Sequence, residues 1–484
     1  MKQLECDVAI IGAGTAGMSA YRAALQHTPS VLLIEGAHYG TTCARVGCMP
    51  SKLLIAAAEA AHAIGAADAF GVRAQLNGID GRAVMRRVRE ERDRFVGFVT
   101  ASVDDWPAAH KLWGMARFIA PGRLQVGDHT QVAAKRIVIA TGSHPVVPTG
   151  WREALGERLI VNDDVFDWQD LPASVAVIGT GVIGLELAQA LHRLGVRVRL
   201  LGRSRKVGPL TDPALQPLAA ALVAAELPLS LEARDIQLER EGADEGAGVR
   251  LRCTCPQGGP IDERYDYVLA AMGRGPNVAS LDLAQAGLPL GPGGVPKADR
   301  RTGQIGDSGV FIAGDVLDER QLLHEAADEG RIAGDNAGRH PDVRVRPRRA
   351  PLSVVFSDPQ IMLAGASHAE LIEAGTRFET GEVSFEDQGR SRVMLKNRGA
   401  LRVYGERETG RFLGAEMIGP SAEHLGHLLA WCAQRRDTVQ QMLDSPFYHP
   451  VVEEGLRTAL RQLQRKLRMG PVPVERCLDC GPGA

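Results

Sequence analysis

Twice in this chain a short apolar run gives way to three glycines at one fixed spacing and then to small and aliphatic residues. The first is VAIIGAGTAGMSAYRAAL, with Gly12, Gly14 and Gly17; the second is SVAVIGTGVIGLELAQAL, with Gly179, Gly181 and Gly184. Each reads as strand, tight turn and helix: the first glycine makes the turn, the second admits a pyrophosphate to the backbone, and the third lets helix and strand pack closely. Two such units make the fold class α/β, with two Rossmann-like dinucleotide-binding domains. At 484 residues the chain is too long for one core and has room for about three domains of ordinary size.

The two loops differ where each following strand ends. After the first, VLLIE closes on Glu35, a carboxylate placed to accept ribose hydroxyls. At the same offset the second unit has Gly202, followed by Arg203, Arg205 and Lys206. Loss of the acid removes a repulsion and the basic groups suit a 2′-phosphate, which favours NADPH over NADH. The competing reading of those arginines is a solvated basic loop.

A net charge of −2 gives no electrostatic case for nucleic acid. No stretch reads as long and apolar enough to span a bilayer, and MKQLECDVAIIGAG enters a strand at once, so no membrane association and a cytoplasmic location are expected. In that compartment eight cysteines do not suggest a disulfide scaffold, and a close pair points to catalysis, redox work or metal binding. Cys43 and Cys48 form such a pair in GTTCARVGCMPSK, just before the helix-forming LLIAAAEAAHAI. A helix N-terminus lowers a thiol pKa through its amides and dipole. At about 100° per residue a spacing of five turns the two side chains apart, so a disulfide needs a distorted first turn, which the flanking glycines permit.

GTTCARVGCMPSK resembles the redox-active signature of the flavin disulfide reductases, the family of dihydrolipoamide dehydrogenase, glutathione reductase and mercuric reductase. RIVIATGSHP, AAMGRGPN, GVFIAGDV, LLHEAADEG and FYHPVVEE match the same family in order along nearly the whole chain. The resemblance implies FAD at the first cradle, with a reduced flavin passing electrons from NAD(P)H into the Cys43–Cys48 disulfide. It makes Cys43 the exposed interchange thiol and Cys48 the flavin-facing thiolate. Lys52 and Glu186 match the family's ion pair near flavin N5, and Asp315 matches the acid that binds the ribityl chain. Ala116 and Gly142 fall where backbone meets the flavin, Gly273 lies in the matching AAMGRGPN, and Val182 is the guard of the nicotinamide pocket. His449 and Glu454 match an acid–base dyad that reaches the partner subunit's disulfide, so the resemblance implies a homodimer. The family's usual Thr after His-Pro is Val451 here.

Residues 1–150 and 276–345 are assigned to the FAD domain, 151–275 to the NAD(P) domain and 346–468 to an α+β dimerisation domain. The basic link RVRPRRAP is expected at the surface, and the arginines of RAVMRRVREERDRFVGFV on a solvated helix face. Cys253, Cys255 and Cys432 are expected in cores. Residues 469–484 form a Pro- and Gly-containing tail whose Cys477 and Cys480 have spacing for a disulfide or half a metal site. The tail is similar in position to the relay cysteines of mercuric reductase and the larger thioredoxin reductases.

LLHEAADEG is closer to dihydrolipoamide dehydrogenase, which puts oxidation of a small dithiol, free or on a lipoyl protein, first. Arg203 argues for NADPH and so for a reductase of another disulfide or a soft metal ion. A reading of another class is a binding subunit of a multienzyme complex.

Overall fold

The computed structural model describes residues 1–242, 246–256 and 258–468. Cys477 and Cys480 therefore lie outside the described residues.

The first glycine loop springs from the central strand of a mixed sheet, Lys2–Ile11. Val31–Glu35 and then Lys111–Trp113 pair parallel on one side, and Thr130–Ile139 pairs parallel on the other. Val8 to Ile11 are almost wholly buried, as expected of a parallel strand covered on both faces. Thr130–Ile139 is shared between two neighbours: its start pairs antiparallel with Arg123–Val126, and its end pairs parallel with Val310–Ile312. That last strand lies far along the sequence, so the chain leaves this sheet and returns to it.

The helix after the loop, Thr15–Ala24, packs on Leu323–Arg339 with backbone touching backbone. Gly330, Gly334 and Gly338 recur every fourth residue and so share one helix face. A β-carbon on Gly330 would sit 2.1 Å from the Ala16 carbonyl oxygen, and one on Gly334 would sit 2.2 Å from that of Ala20. Only a helix without side chains on this stripe can lie so close.

Between the two visits to the first sheet the chain builds a second. Leu229–Ser230, Arg197–Leu201, Ser174–Ile178, Tyr267–Ala270 and Leu159–Ile160 run parallel in that order. The excursion Arg234–Glu241, Gly248–Cys255 and Gly259–Tyr265 is antiparallel and buries Cys253 and Cys255 on its inner face. Exit and return are adjacent: Ser143–Pro145 pairs antiparallel with Arg274–Pro276.

The third unit is a five-stranded antiparallel sheet with the order Leu352–Val355, Gln360–Gly365, Phe412–Gly419, Ala400–Glu406, Phe378–Ser384. Helices Ala422–Arg435 and Glu453–Leu467 cover it.

The link RVRPRRAP lies at the surface as expected, and it also ties the third unit to the first: Arg346 pairs with Asp335 at 3.1 Å and Arg348 with Glu329 at 2.8 Å and with Glu325. Two other expectations need correction. On the arginine-rich helix Gly81–Asp104, Arg89 and Arg92 are half-buried and donate to the Trp168 and Phe166 carbonyls of the second unit, while Arg86 and Arg87 are exposed. Thr42–Phe70 does meet the length and composition of a membrane span, with mean hydropathy 1.4. Much of that apolarity is alanine, and the run is broken at Gly47. It packs on helices Gly81–Asp104 and Val182–Arg193 and carries the ion-paired Lys52.

Candidate active site

Both dinucleotide cradles are built alike. Gly12 has φ +105° and Gly179 has φ +124°, conformations open to glycine, and a β-carbon on either would lie within 2.3 Å of the Ala140 or Ala271 carbonyl. Gly17 and Gly184 close each turn against the first glycine's carbonyl, with a β-carbon placed at 1.8 and 1.9 Å. Gly14 and Gly181 face open space, where a pyrophosphate needs it.

Glu35 is held rigidly at the end of its strand. One carboxylate oxygen accepts from the Ala13 amide at 2.8 Å, and the other accepts from the Gly36 and Ala37 amides at 2.9 and 2.8 Å. The His38 amide also reaches that second oxygen, at 3.3 Å, so the oxygen bonded to Ala13, with a single donor, is the one left to accept a ribose hydroxyl. At the matching place stands Gly202, where a β-carbon would meet the Leu231 and Thr180 methyl groups at 2.9 Å, so a side chain there would require both to shift. Arg205 is ion-paired with Glu232 at 2.8 Å, whereas the exposed Arg203 has no ion-pair partner among the described residues. The basic loop therefore offers one uncommitted guanidinium where the sequence suggested two.

Asp315 opens a short turn after Val310–Ile312 and accepts from the Ser143 hydroxyl at 3.1 Å. Burial holds its carboxyl above the usual range, and Ser143 and Arg274 pull it back. Gly142, with φ +69° and open space at its β-position, lies next to it in the crossing strand's approach. Ala116 is buried at the start of Ala116–Ala120, and Gly273, with φ +107°, accepts from the Val146 amide.

The cysteine pair lies between the cradles. Thr42–Val46 forms one helical turn capped by Thr41, Gly47 breaks it with φ −130° and ψ −115°, and Cys48 starts the helix Cys48–Ala66. This is the distorted first turn that the spacing demands. Both cysteines are free thiols. In the single chain Cys43 is half-buried and Cys48 exposed. The break at Gly47 folds Cys43 back against the new helix, where its thiol donates to Cys48. That hydrogen bond, aided by the Lys52 ammonium, lowers Cys48 to about 7. The same bond and burial push Cys43 up.

Lys52, one turn further on, donates to buried Glu186 at 2.7 Å and lies over the Phe356 ring at 4.4 Å. Glu186 also accepts from the Phe356 amide at 2.9 Å. The three units meet at this ion pair: Lys52 comes from the first, Glu186 from the second and Phe356 from the third. Val182 begins the Glu186 helix and is half-buried.

His449 and Glu454 form the expected dyad. The His449 Nδ1 is 3.1 Å from each carboxylate oxygen, Glu454 is buried, and Arg457 and the Val451 amide hold it. The imidazole is half exposed, and among the described residues no hydrogen bond joins it to either cysteine of its own chain. The Glu454 helix, Glu453–Leu467, packs on Phe378–Ser384, Ala400–Glu406 and Val439–Leu443.

Phe356, Ser143, Arg274 and Glu329 were not legible as site residues. Phe356 and Ser143 act through distant partners, while Glu329 lay unremarked inside LLHEAADEG.

Two dinucleotide cradles flanking a polarised thiol pair define a flavin- and nicotinamide-dependent disulfide oxidoreductase. Residues 6–330 match the family described as pyridine nucleotide-disulphide oxidoreductase, and residues 352–460 match its dimerisation domain. The chain belongs to this family, the class I pyridine nucleotide-disulfide oxidoreductases, and its fold is two nucleotide-binding domains plus a dimerisation domain. It is 30% identical to a dihydrolipoyl dehydrogenase of Thermus scotoductus over 95% of this chain and 98% of that protein. It is 31% identical to a mercuric reductase of Shigella flexneri over 95% of this chain and 81% of that protein. In fold it is similar to LpdA from Mycobacterium tuberculosis, with TM-score 0.79 and 24% identity over 96% of this chain and the whole of the other. The HOCl-induced flavoprotein disulfide reductase RclA from Escherichia coli, solved as a Cu(II) complex, gives TM-score 0.76 and 23% identity over 94% of this chain and 99% of the other. The protein is a flavoprotein oxidoreductase of an FAD-dependent, NAD(P)H-using family, and a homodimer fits its third domain.

Proposed function

We propose that this enzyme is a cytoplasmic homodimer that exchanges electrons between a nicotinamide nucleotide and a small dithiol or disulfide of the dihydrolipoyl type. The observation that carries the reading is the Cys43–Cys48 dithiol, whose Cys48 is lowered to about 7 beside Lys52. Gly12, Gly14, Gly17, Glu35, Ala116, Gly142 and Asp315 would hold FAD, with Lys52 and Glu186 at its redox-active end. The spaces beside the cradle glycines and the buried Asp315 carboxyl fit such a dinucleotide. When bound, FAD supplies the two-electron link between the nicotinamide hydride and the protein disulfide. Gly179, Gly181, Gly184, Val182 and Gly273 would line the nicotinamide nucleotide site.

In the reductive direction His449 of the partner subunit, its other nitrogen being fixed by Glu454, would take the Cys43 proton as the Cys43 sulfur attacks the substrate disulfide, forming a mixed disulfide and releasing a thiolate. The same imidazolium then returns that proton to the released thiolate. The Cys48 thiolate then attacks the Cys43 sulfur, which breaks the mixed disulfide, frees the second substrate thiol and leaves Cys43–Cys48 oxidised. Run backwards, the same steps oxidise a dihydrolipoyl dithiol. Titration of the purified flavoprotein with NADH or NADPH, followed by lipoamide or glutathione disulfide, tests the reading. Turnover of lipoamide is expected, and inertness toward every dithiol and disulfide would refute it.

The uncommitted Arg203 supports a second reading, an NADPH-dependent reductase of another disulfide or a soft metal ion. A charged phosphate contact contributes about 1.5–3 kcal/mol, or about one to two decades in affinity. Arg203→Glu should weaken NADPH by that factor and leave NADH little changed. Equal use of both nucleotides by the parent enzyme would remove this reading. In it, Cys477 and Cys480 pass electrons from Cys43 to a bulky acceptor, so deleting residues 471–484 should abolish that activity and spare lipoamide.

A further inference from the structure

We propose that Glu329 is a positioning residue for the flavin site, acting through the single amide that precedes Asp315. The inference rests on the assignment of Asp315 to FAD. Glu329 is buried on the helix Leu323–Arg339, and one of its carboxylate oxygens accepts from the Gly314 amide at 2.8 Å. The other oxygen is held by Arg348 at 2.8 Å. Gly314 has φ +85°, and a β-carbon there would lie 2.8 Å from that of Ala16, so the turn is pressed against the first dinucleotide helix. Asp315 follows directly, and Ser143 is the one side chain that hydrogen-bonds its carboxylate among the described residues.

A carboxylate so enclosed is costly to bury unless its bonds are made, since burial pushes Glu329 up while Arg348 and the Gly314 amide oppose that rise. Its two bonds run along one line: Arg348 of the link, Glu329, the Gly314 amide, Asp315. Loss of the middle member frees the Gly314 turn and lets Asp315 leave the orientation in which its oxygens would meet a polyol chain. The link into the third domain is thereby part of the flavin site's support.

The test measures FAD release from the holoenzyme, followed by flavin fluorescence and visible circular dichroism, in Glu329→Ala, Glu329→Gln and Asp315→Asn. A hydrogen bond to a charged group corresponds to about tenfold in affinity. Glu329→Ala should release FAD about tenfold faster, and Glu329→Gln, which retains an acceptor for the Gly314 amide, should recover most of the loss. Glu329→Ala should add little in the Asp315→Asn background, because both act on one contact. Glu329→Asp keeps the charge toward Arg348 but shortens the reach to Gly314. It should loosen FAD with little change in the urea midpoint, which separates positioning from misfolding. Unchanged release in Glu329→Ala, no rescue by Gln, or a full additive loss overturns the inference while leaving Asp315 in place. If Asp315→Asn itself holds FAD as tightly as the parent, the assignment of Asp315 and the inference built on it both fall.

Discussion

Replacing Cys43 by alanine is expected to slow the chemistry of its neighbour Cys48 and not merely to remove one thiol. Cys48 is lowered from an ordinary 9.0 to about 7, chiefly by the hydrogen bond that Cys43 donates and then by Lys52, against burial and Glu186. At pH 6 a thiol with a pKa near 7 is about 10% ionised and one near 9 about 0.1%, so full loss of the shift cuts the thiolate population about 100-fold. The low-pKa thiolate is also the weaker nucleophile, by about a factor of eight over two pKa units at a Brønsted slope of about 0.4–0.5. The net expectation for Cys43→Ala is alkylation of Cys48 about tenfold slower at pH 6, or about threefold if Lys52 retains half the shift. Above about pH 10 both forms are ionised and the order inverts, the variant reacting faster. The sign follows from a depressed pKa: the favourable interaction is full above 9.0 and is lost as pH falls through about 7. Iodoacetamide kinetics on the dithiol-reduced holoenzyme, with the Cys48 peptide quantified by mass spectrometry, would separate it from the other cysteines. The same pH midpoint in parent and variant would refute the assignment of Cys43 as donor.

If each site draws its thiols and its imidazole from different subunits, heterodimers of inactive Cys43→Ser and inactive His449→Ala chains should recover activity; no recovery after confirmed chain exchange contradicts that arrangement. Gly330→Ala should cost at least about 1–3 kcal/mol, read as a lower urea midpoint, since its β-carbon has 2.1 Å to the Ala16 carbonyl; a neutral result would mean the helices separate freely. Glu416, wholly buried, accepts from the Thr211, Asp212 and His368 amides at 2.6, 3.0 and 2.8 Å, which ties the second domain to the third. Glu416→Leu should cost about 1–3 kcal/mol for each stranded amide and raise susceptibility to proteolysis near residue 211, whereas unchanged protection would show the tie to be dispensable.

What the sequence made legible was what one segment encodes alone. Gly12 and Gly179 announce their turns because the chain's own backbone forbids another residue there, and Glu35 announces itself by its offset. His449 and Glu454 are five residues apart and find each other locally. Groups that work through a partner distant in sequence carried no such mark. Phe356 joins the Lys52–Glu186 junction through its backbone amide, to which any residue type except proline is indifferent. The arginines of the link look solvated because their acids lie on Leu323–Arg339. The hydrogen bond from Cys43 to Cys48 carried no such mark either, because it depends on the direction in which Gly47 bends the chain, which spacing alone does not encode.

The crossing ribbon of Ser143–Pro145 and Arg274–Pro276 places the exit and re-entry of the nicotinamide domain side by side, with His144 opposite Gly275. The inserted unit is therefore a cassette with a single doorway, and its termini already stand at the separation a graft must bridge. Recombination at these two points can exchange one nicotinamide preference for another without altering the thiol machinery. It can do so only if the incoming cassette keeps its ties to the rest of the chain, among them Glu186 for Lys52, the amides for Glu416, the carbonyls for Arg89 and Arg92, and Arg193 for Asp358. Those few stitches, more than the bulk of the domain, set which natural relatives can serve as donors for such a chimera.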